Sequence, residues 1–201
     1  MSVNDHQCVA RSPLILCISG MAGTGKSTLS KKVAKRYNLR CYSGGDVLKE
    51  LAKEDGCVVT GEGWWESPAG LDFLERRVKD PQFDREVDSR LLSYAKLGNV
   101  LLDSWTMPWL LEGGFKIWLM ASFDKRVARV AVRDKLTFEQ AFVVLEEKES
   151  QTKAIYKQLY GFDLGEDFTP FNFILDTDNL NADQVFEVLC RVIDNIVLGC
   201  Q

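Results

Sequence analysis

Gly20-Met21-Ala22-Gly23-Thr24-Gly25-Lys26-Ser27 satisfies the pattern G-x-x-x-x-G-K-[ST] at every specified position, and Thr28 follows it. The spacing suits one task. Glycines let a loop wrap so tightly that its backbone N–H groups converge on phosphate oxygens. A helix opening at the end of that loop adds its positive pole. In such a cradle Lys26 reaches the β- and γ-phosphates of a nucleotide, and the Ser27 hydroxyl ligates Mg²⁺. Gly20 to Thr28 are therefore candidate nucleotide-binding residues, with ATP and Mg²⁺ as the expected cofactors. Asp103 is the natural companion, because Val100-Leu101-Leu102 before it reads as a core strand with a carboxylate at its tip. That is where such enzymes hold Mg²⁺, directly or through water. A turn aspartate that merely ends a strand is the other reading.

These groups need elements to hold them. Leu14–Ser19 is a short apolar run ending at a glycine, which reads as a strand buried on both faces of a parallel sheet. Ser27–Tyr37 follows as a helix with Leu29, Val33 and Ala34 at helical spacing. The glycine loop thus lies between a buried strand and a helix, the context a phosphate cradle demands. Leu39–Ser43 is a second strand stopped by Gly44-Gly45, and Asp46–Lys53 a helix with Asp46 near its positive end. Gly61, Gly63, Pro68 and Gly70 punctuate the next stretch, in which Leu71–Val78 forms a helix. Asp84–Leu97 is a stronger helix ended by Gly98, and Phe115–Met120 a further strand. Phe123–Arg133 is helical with Val127, Val130 and Ala131 inward. Thr137-Phe138-Glu139-Gln140 has capping-box spacing and opens a long helix toward Tyr160. Phe171–Leu175 is the last strand, and Asn181–Leu198 closes the chain as an amphipathic helix with Val185, Val188, Leu189, Val192 and Ile196 on one stripe. Strands alternating with helices give an α/β class, a parallel sheet covered on both faces.

Composition narrows the function classes. The 201 residues carry a formal net charge of −4, with no basic run, which disfavours sequence-independent binding to nucleic acid or a membrane surface. The cysteines Cys8, Cys17, Cys41, Cys57, Cys190 and Cys200 form no CxxC pair, and His6 is the only histidine. Zinc binding and histidine-based catalysis are therefore not expected. Cys17 and Cys190 lie in apolar runs, where a buried thiol is the ordinary reading. The polar leader is unlike a signal peptide and no apolar run spans a bilayer, so a reduced cytoplasmic protein is expected.

With those residues in view, the chain resembles the nucleoside monophosphate kinase superfamily, and specifically the archaeal-type cytidylate kinases. The likeness runs from about Leu14 to the C-terminal helix. Its landmarks are Ser19–Thr28, Ser43-Gly44-Gly45-Asp46, Asp80-Pro81 with Asp84-Arg85, Gly98-Asn99-Val100, Lys116-Ile117-Trp118-Leu119 and Tyr160-Gly161-Phe162-Asp163. The resemblance implies a P-loop NTPase fold, a parallel five-stranded sheet flanked by helices, forming a single kinase domain over residues 1–201. Within it an acceptor-binding lobe would span about residues 44–97 and a mobile lid about 133–160. The implied activity is ATP-dependent phosphoryl transfer to a nucleoside monophosphate, CMP or dCMP first. Arg129 and Arg133 match arginines at the lid base, and their i, i+4 spacing sets them on one helix face. Arg129 would lie near the adenine or the donor phosphates. Arg133 would join Lys26 and Asp103 in the catalytic set by stabilising the transferring group. Asp46, Lys49, Arg85 and Trp105 are the candidates for acceptor binding.

Lys49, Trp105, Lys148 and Ile155 stand where the family carries arginines, with Lys153 close to the last. Either other cations, among Arg76, Arg77, Arg85 and Arg90, take the acceptor phosphate, or the acceptor is not a plain monophosphate. Trp64 and Trp65 could stack on a base or pack the lobe onto the core, and Trp105 and Trp109 present the same choice. Two other readings stay open: a P-loop kinase of a nucleoside, sugar or nucleic-acid end, and a nucleotide-binding regulatory protein. Small-molecule nucleotides are the expected partners, and either a monomer or a homodimer is compatible with the chain.

Overall fold

A computed structural model of the chain describes residues 13–59, 64 and 67–199. His6, Cys8, Gly61, Gly63, Trp65 and Cys200 lie outside the described residues. In chain order the elements are β1 (Ile15–Ser19), α1 (Lys26–Arg36), β2 (Arg40–Ser43), α2 (Gly44–Glu54), α3 (Pro68–Lys79), α4 (Gln82–Ala95) and β3 (Val100–Asp103). Then come α5 (Met107–Leu110), β4 (Phe115–Met120), α6 (Phe123–Asp134), α7 (Phe138–Tyr160), β5 (Phe173–Asp176) and α8 (Ala182–Val192), which runs into a π-helical turn over Ile193–Val197.

The strands form one five-stranded sheet in the order β2-β3-β1-β4-β5, and every pairing is parallel. The apolar runs explain this. Leu16, Cys17 and Ile18 of β1 are wholly buried, as are Val100, Leu101 and Leu102 of β3. Strands with no polar face are stable only between two layers of helices. One layer packs α1 (Leu29, Val33) and α8 (Val185, Leu189) against Leu101 and Ile117. The other packs α2, α3 and α4 through Leu48, Phe73 and Leu91 against Leu102. Each such side chain contributes about 1.5–3 kcal/mol by leaving water.

Local signals set the helix starts. Thr137 and Gln140 form the expected capping box, and Asn181 with Gln184 forms another. Ser43 and Ser67 cap α2 and α3 by accepting from the N–H groups of Asp46 and Gly70. Two expectations change. Ile196 is 66% exposed, whereas Ile193 is buried, because the π turn adds residues per turn and rotates the apolar stripe. The short α5 was not anticipated from a Pro-containing stretch, although Pro108 suits a first helical turn. Among the described residues no helix is long and apolar enough to cross a membrane.

Candidate active site

The register between β1 and β3 aligns Ile18 with Asp103, so the glycine loop and the carboxylate leave the sheet side by side. This is the carboxyl end of neighbouring strands, where open parallel sheets place ligands. The loop is held from behind. A Cβ on Gly20 would sit 2.5 Å from the Leu119 carbonyl oxygen, and one on Gly23, at φ +82°, 2.7 Å from that of Arg126. The Thr24 hydroxyl donates to the Met21 carbonyl at 2.9 Å, while Met21 packs among Trp118 and Tyr156. Gly20, Met21 and Thr24 therefore brace the loop. Ala22, Gly23, Gly25, Lys26, Ser27 and Thr28 line a cleft of about 310 Å³. Gly25 caps α1 in the left-handed conformation, and the first N–H groups of a helix lack partners within it.

Asp103 is buried at 4% exposure. Burial pushes its carboxyl above the usual range, opposed by the Lys26 ammonium and by a hydrogen bond from Ser27. Burial likewise lowers the Lys26 pKa, with Asp103 pulling it back. Oδ1 of Asp103 is buried with no hydrogen-bond partner among the described residues. A buried carboxylate oxygen left open beside a serine hydroxyl fits a hard divalent cation that shares phosphate oxygens, as Mg²⁺ does.

Arg129, Arg133 and Lys148 supply positive charge to the same cleft from α6 and α7. Arg129 donates to the Thr177 carbonyl at 2.8 Å and to its hydroxyl at 3.2 Å, which fixes its fork. Arg133 is exposed and pairs with the neighbouring Asp134 at 2.7 Å.

The far half of the cleft is built by α2, α3, α4 and α7. Leu48 and Val87 form an apolar wall. Arg77, 3% exposed, holds Asp84 through two hydrogen bonds of 2.5 and 3.2 Å, with Tyr156 alongside. Asp88 accepts from the Thr106 hydroxyl and from the Tyr160 hydroxyl at 2.5 Å. Burial drives the Asp88 carboxyl up to about 6, although both hydroxyls favour its ionised form. Trp105 stands between the halves, half-buried, with its ring 5.1 Å from Lys26 Nζ.

Residues 15–179 match the protein family described as the cytidylate kinase-like family. The chain belongs to this family. It is 33% identical to a cytidylate kinase of Pyrococcus horikoshii over 92% of this chain and 91% of that one. It is 31% identical to a cytidylate kinase of Methanocaldococcus jannaschii, over 91% of this chain and 99% of the relative. Among solved structures, a shikimate kinase from Bacteroides thetaiotaomicron aligns with a TM-score of 0.55 at 15% identity, over 90% of this chain and 96% of that chain. That likeness establishes the fold alone.

The positions at which the resemblance led to an expectation of arginines fare differently. Lys148 lines the cleft, whereas Ile155 is buried in the apolar cluster with Met21 and Trp118. Lys153 does not stand in for it, since it pairs with Glu166 at 3.0 Å outside the cleft. Asp46, Lys49 and Arg85 do not line the cleft either: Asp46 and Arg85 are exposed, and Lys49 is half-buried next to the inward Leu48. Arg76 pairs with Asp55, and Arg90 with Glu86 and Glu54. Of the substitute cations considered, Arg77 is the one in the cleft. Trp64 packs on Phe73 in the core, and Trp109 stacks on Phe162 with centroids 3.9 Å apart. Asp88, Thr106 and Tyr156 escaped the sequence reading. Asp84, Asp88 and Leu91 share an inward stripe at i, i+4 and i+7, and carboxylates in phase with core residues are the signal that could have found them.

Proposed function

We propose that the protein transfers the γ-phosphoryl group of ATP to a nucleoside monophosphate, CMP or dCMP, within this cleft. One observation carries the reading: the phosphate loop with Asp103 and the buried Arg77–Asp84 and Asp88 groups line a single cavity. Family membership and the curated cytidylate kinase relatives support the same choice of acceptor.

In this proposal the loop N–H groups and Lys26 grip the β- and γ-phosphates, and Arg129 lies on the donor side. Ser27 and Asp103 would hold Mg²⁺, which would offset the negative charge of the phosphates. A phosphate oxygen of the acceptor attacks in line, so no side-chain nucleophile is needed. Arg133 and Lys148 stabilise charge on the group in transit. The acceptor rests against Leu48 and Val87, with Arg77, Asp88 and Trp105 as its polar and aromatic contacts. Residues 44–97 form the acceptor lobe, and the lid, residues 133–160, closes to keep water from the phosphoryl group. The proposal includes a cytoplasmic location, which the unpaired thiols of Cys17 and Cys190 support.

The test is ADP formation from ATP·Mg²⁺ with each common ribo- and deoxyribonucleoside monophosphate, beside a Lys26→Ala control. Release with CMP or dCMP that disappears in the control is the expected result. Silence across the panel, with ATP binding confirmed by calorimetry, would overturn the acceptor assignment.

A further inference from the structure

Arg126 is 7% exposed on the inward face of α6 and does not line the cleft. Its guanidinium is nevertheless committed on three sides. Nη1 donates to the Ala22 carbonyl at 3.1 Å, and Nε to the Ala121 carbonyl at 3.2 Å. Nη1 and Nη2 grip the two oxygens of Glu149, a buried residue of α7, with Nη2 at 3.2 Å from Oε2. The backbone completes the contact, since Gly23 packs so closely that a Cβ there would strike the Arg126 carbonyl oxygen. Two cleft-lining residues of the phosphate loop, Ala22 and Gly23, thus rest on one residue of α6.

A trans peptide unit explains what that seat achieves. The Ala22 carbonyl and the Gly23 N–H belong to one planar group and point in opposite directions. Fixing the oxygen on Arg126, away from the cleft, turns the N–H toward it. A flipped unit would aim oxygen lone pairs at phosphate oxygens. Gly23, with its unrestricted backbone, is where such a flip meets least resistance. Glu149 in turn keeps the guanidinium from swinging away, and it is the neighbour of Lys148, which lines the cleft.

We propose that Arg126 is a positioning residue for nucleotide binding: it sets the peptide plane between Ala22 and Gly23 so that the loop is ready for phosphate before ATP arrives, and the Arg126–Glu149 pair ties the loop to α7. The inference rests on the loop being the ATP site, so its test reads ATP binding and needs no acceptor. Arg126→Met alone leaves Glu149 buried without a countercharge, which weakens the fold whatever the role of Arg126. The informative variant is Arg126→Met with Glu149→Met, which removes both charges and restores an apolar contact. Urea unfolding checks its stability, and calorimetry with ATP·Mg²⁺ reads the function. The expected result is a folded protein that binds ATP about tenfold or more weakly, as befits a lost charge-assisted hydrogen bond. In turnover the loss should fall on KM for ATP, with kcat at saturating ATP and KM for the acceptor within about twofold. Arg126→Lys, which keeps a donor for Ala22, should recover part of the affinity. A folded double variant that binds ATP within twofold of the parent overturns this inference and leaves the proposed function standing. A parent protein that does not bind ATP overturns both.

Discussion

The indole N–H of Trp105 donates to the Gly20 carbonyl at 2.6 Å, fastening the residue two positions beyond Asp103 to the first residue of the phosphate loop. The same ring lies over the Lys26 ammonium and meets Tyr156 edge-on at 6.4 Å. A neutral aromatic therefore touches both halves of the cleft. It holds the loop by a hydrogen bond, and it favours the charged form of Lys26 through its π face.

Trp105→Phe separates these effects, because it keeps a ring and removes the donor. A neutral hydrogen bond contributes about 0.5–1.5 kcal/mol, so ATP·Mg²⁺ binding measured by calorimetry should weaken by roughly 2–10-fold. An unchanged affinity would mean that the Gly20 carbonyl needs no partner.

Asp103→Asn preserves shape but removes the charge whose Oδ1 has no hydrogen-bond partner among the described residues. If that oxygen serves Mg²⁺, the concentration of free Mg²⁺ giving half-maximal turnover should rise about tenfold or more, with a smaller change at saturating metal. An unaltered Mg²⁺ titration would exclude the carboxylate from the metal site.

Most of the scaffold was legible because its signals are local. Apolar runs marked β1, β3, β4 and β5, the Gly44-Gly45 pair marked the end of β2, and the Thr137 capping box marked the start of α7 to the residue. The phosphate-loop half of the cleft was legible for the same reason, since one contiguous loop builds it. The opposite half was not. It is assembled from Arg77, Asp84, Asp88, Thr106 and Tyr156, which meet only after separate helices pack. Which cation faces inward depends on helical phase: Arg77 follows buried Phe73 and Leu74 by four and three residues, whereas Arg85 lies between buried Asp84 and the solvent-facing Glu86. Arg126 shares the inward stripe of Val127 and Val130, a polar intrusion into an apolar face that spacing alone reveals. Ile196 shows the reverse failure, because one π turn cancels the phase that a regular helix would keep.

The glycines of the loop make a paired test of space against conformation. Gly23 and Gly25 have similar angles, φ +82° and +87°, yet a Cβ on Gly25 would meet only Leu29 Cδ1 at 3.9 Å. Gly25→Ala should therefore carry only the left-handed strain, about 1–2 kcal/mol. Gly23→Ala adds a clash with the α6 backbone, so its total should reach about 2–5 kcal/mol. Urea unfolding of the two variants decides it, and equal losses would mean that α6 gives way freely.

Asp88 should make stability depend on pH in a direction opposite to that of an ordinary ion-paired carboxylate. Burial raises its pKa from 3.8 to about 6 in the fold. Between those values the native protein holds a proton that the unfolded chain has released. By linkage its contribution is full below the window and is lost as pH rises through it. A rise of that size corresponds to about 3 kcal/mol. Asp88→Asn keeps the shape and one acceptor oxygen, places an NH2 donor where the other hydroxyl now donates, and has no proton to release. Urea unfolding of both proteins at several pH values from 4 to 7 cancels the other titrating groups. The parent should lose ground to the variant by about 2–2.5 kcal/mol across that range. A constant difference would mean that Asp88 titrates in the fold as it does in the unfolded chain. Its two hydroxyl donors would then fully offset its burial.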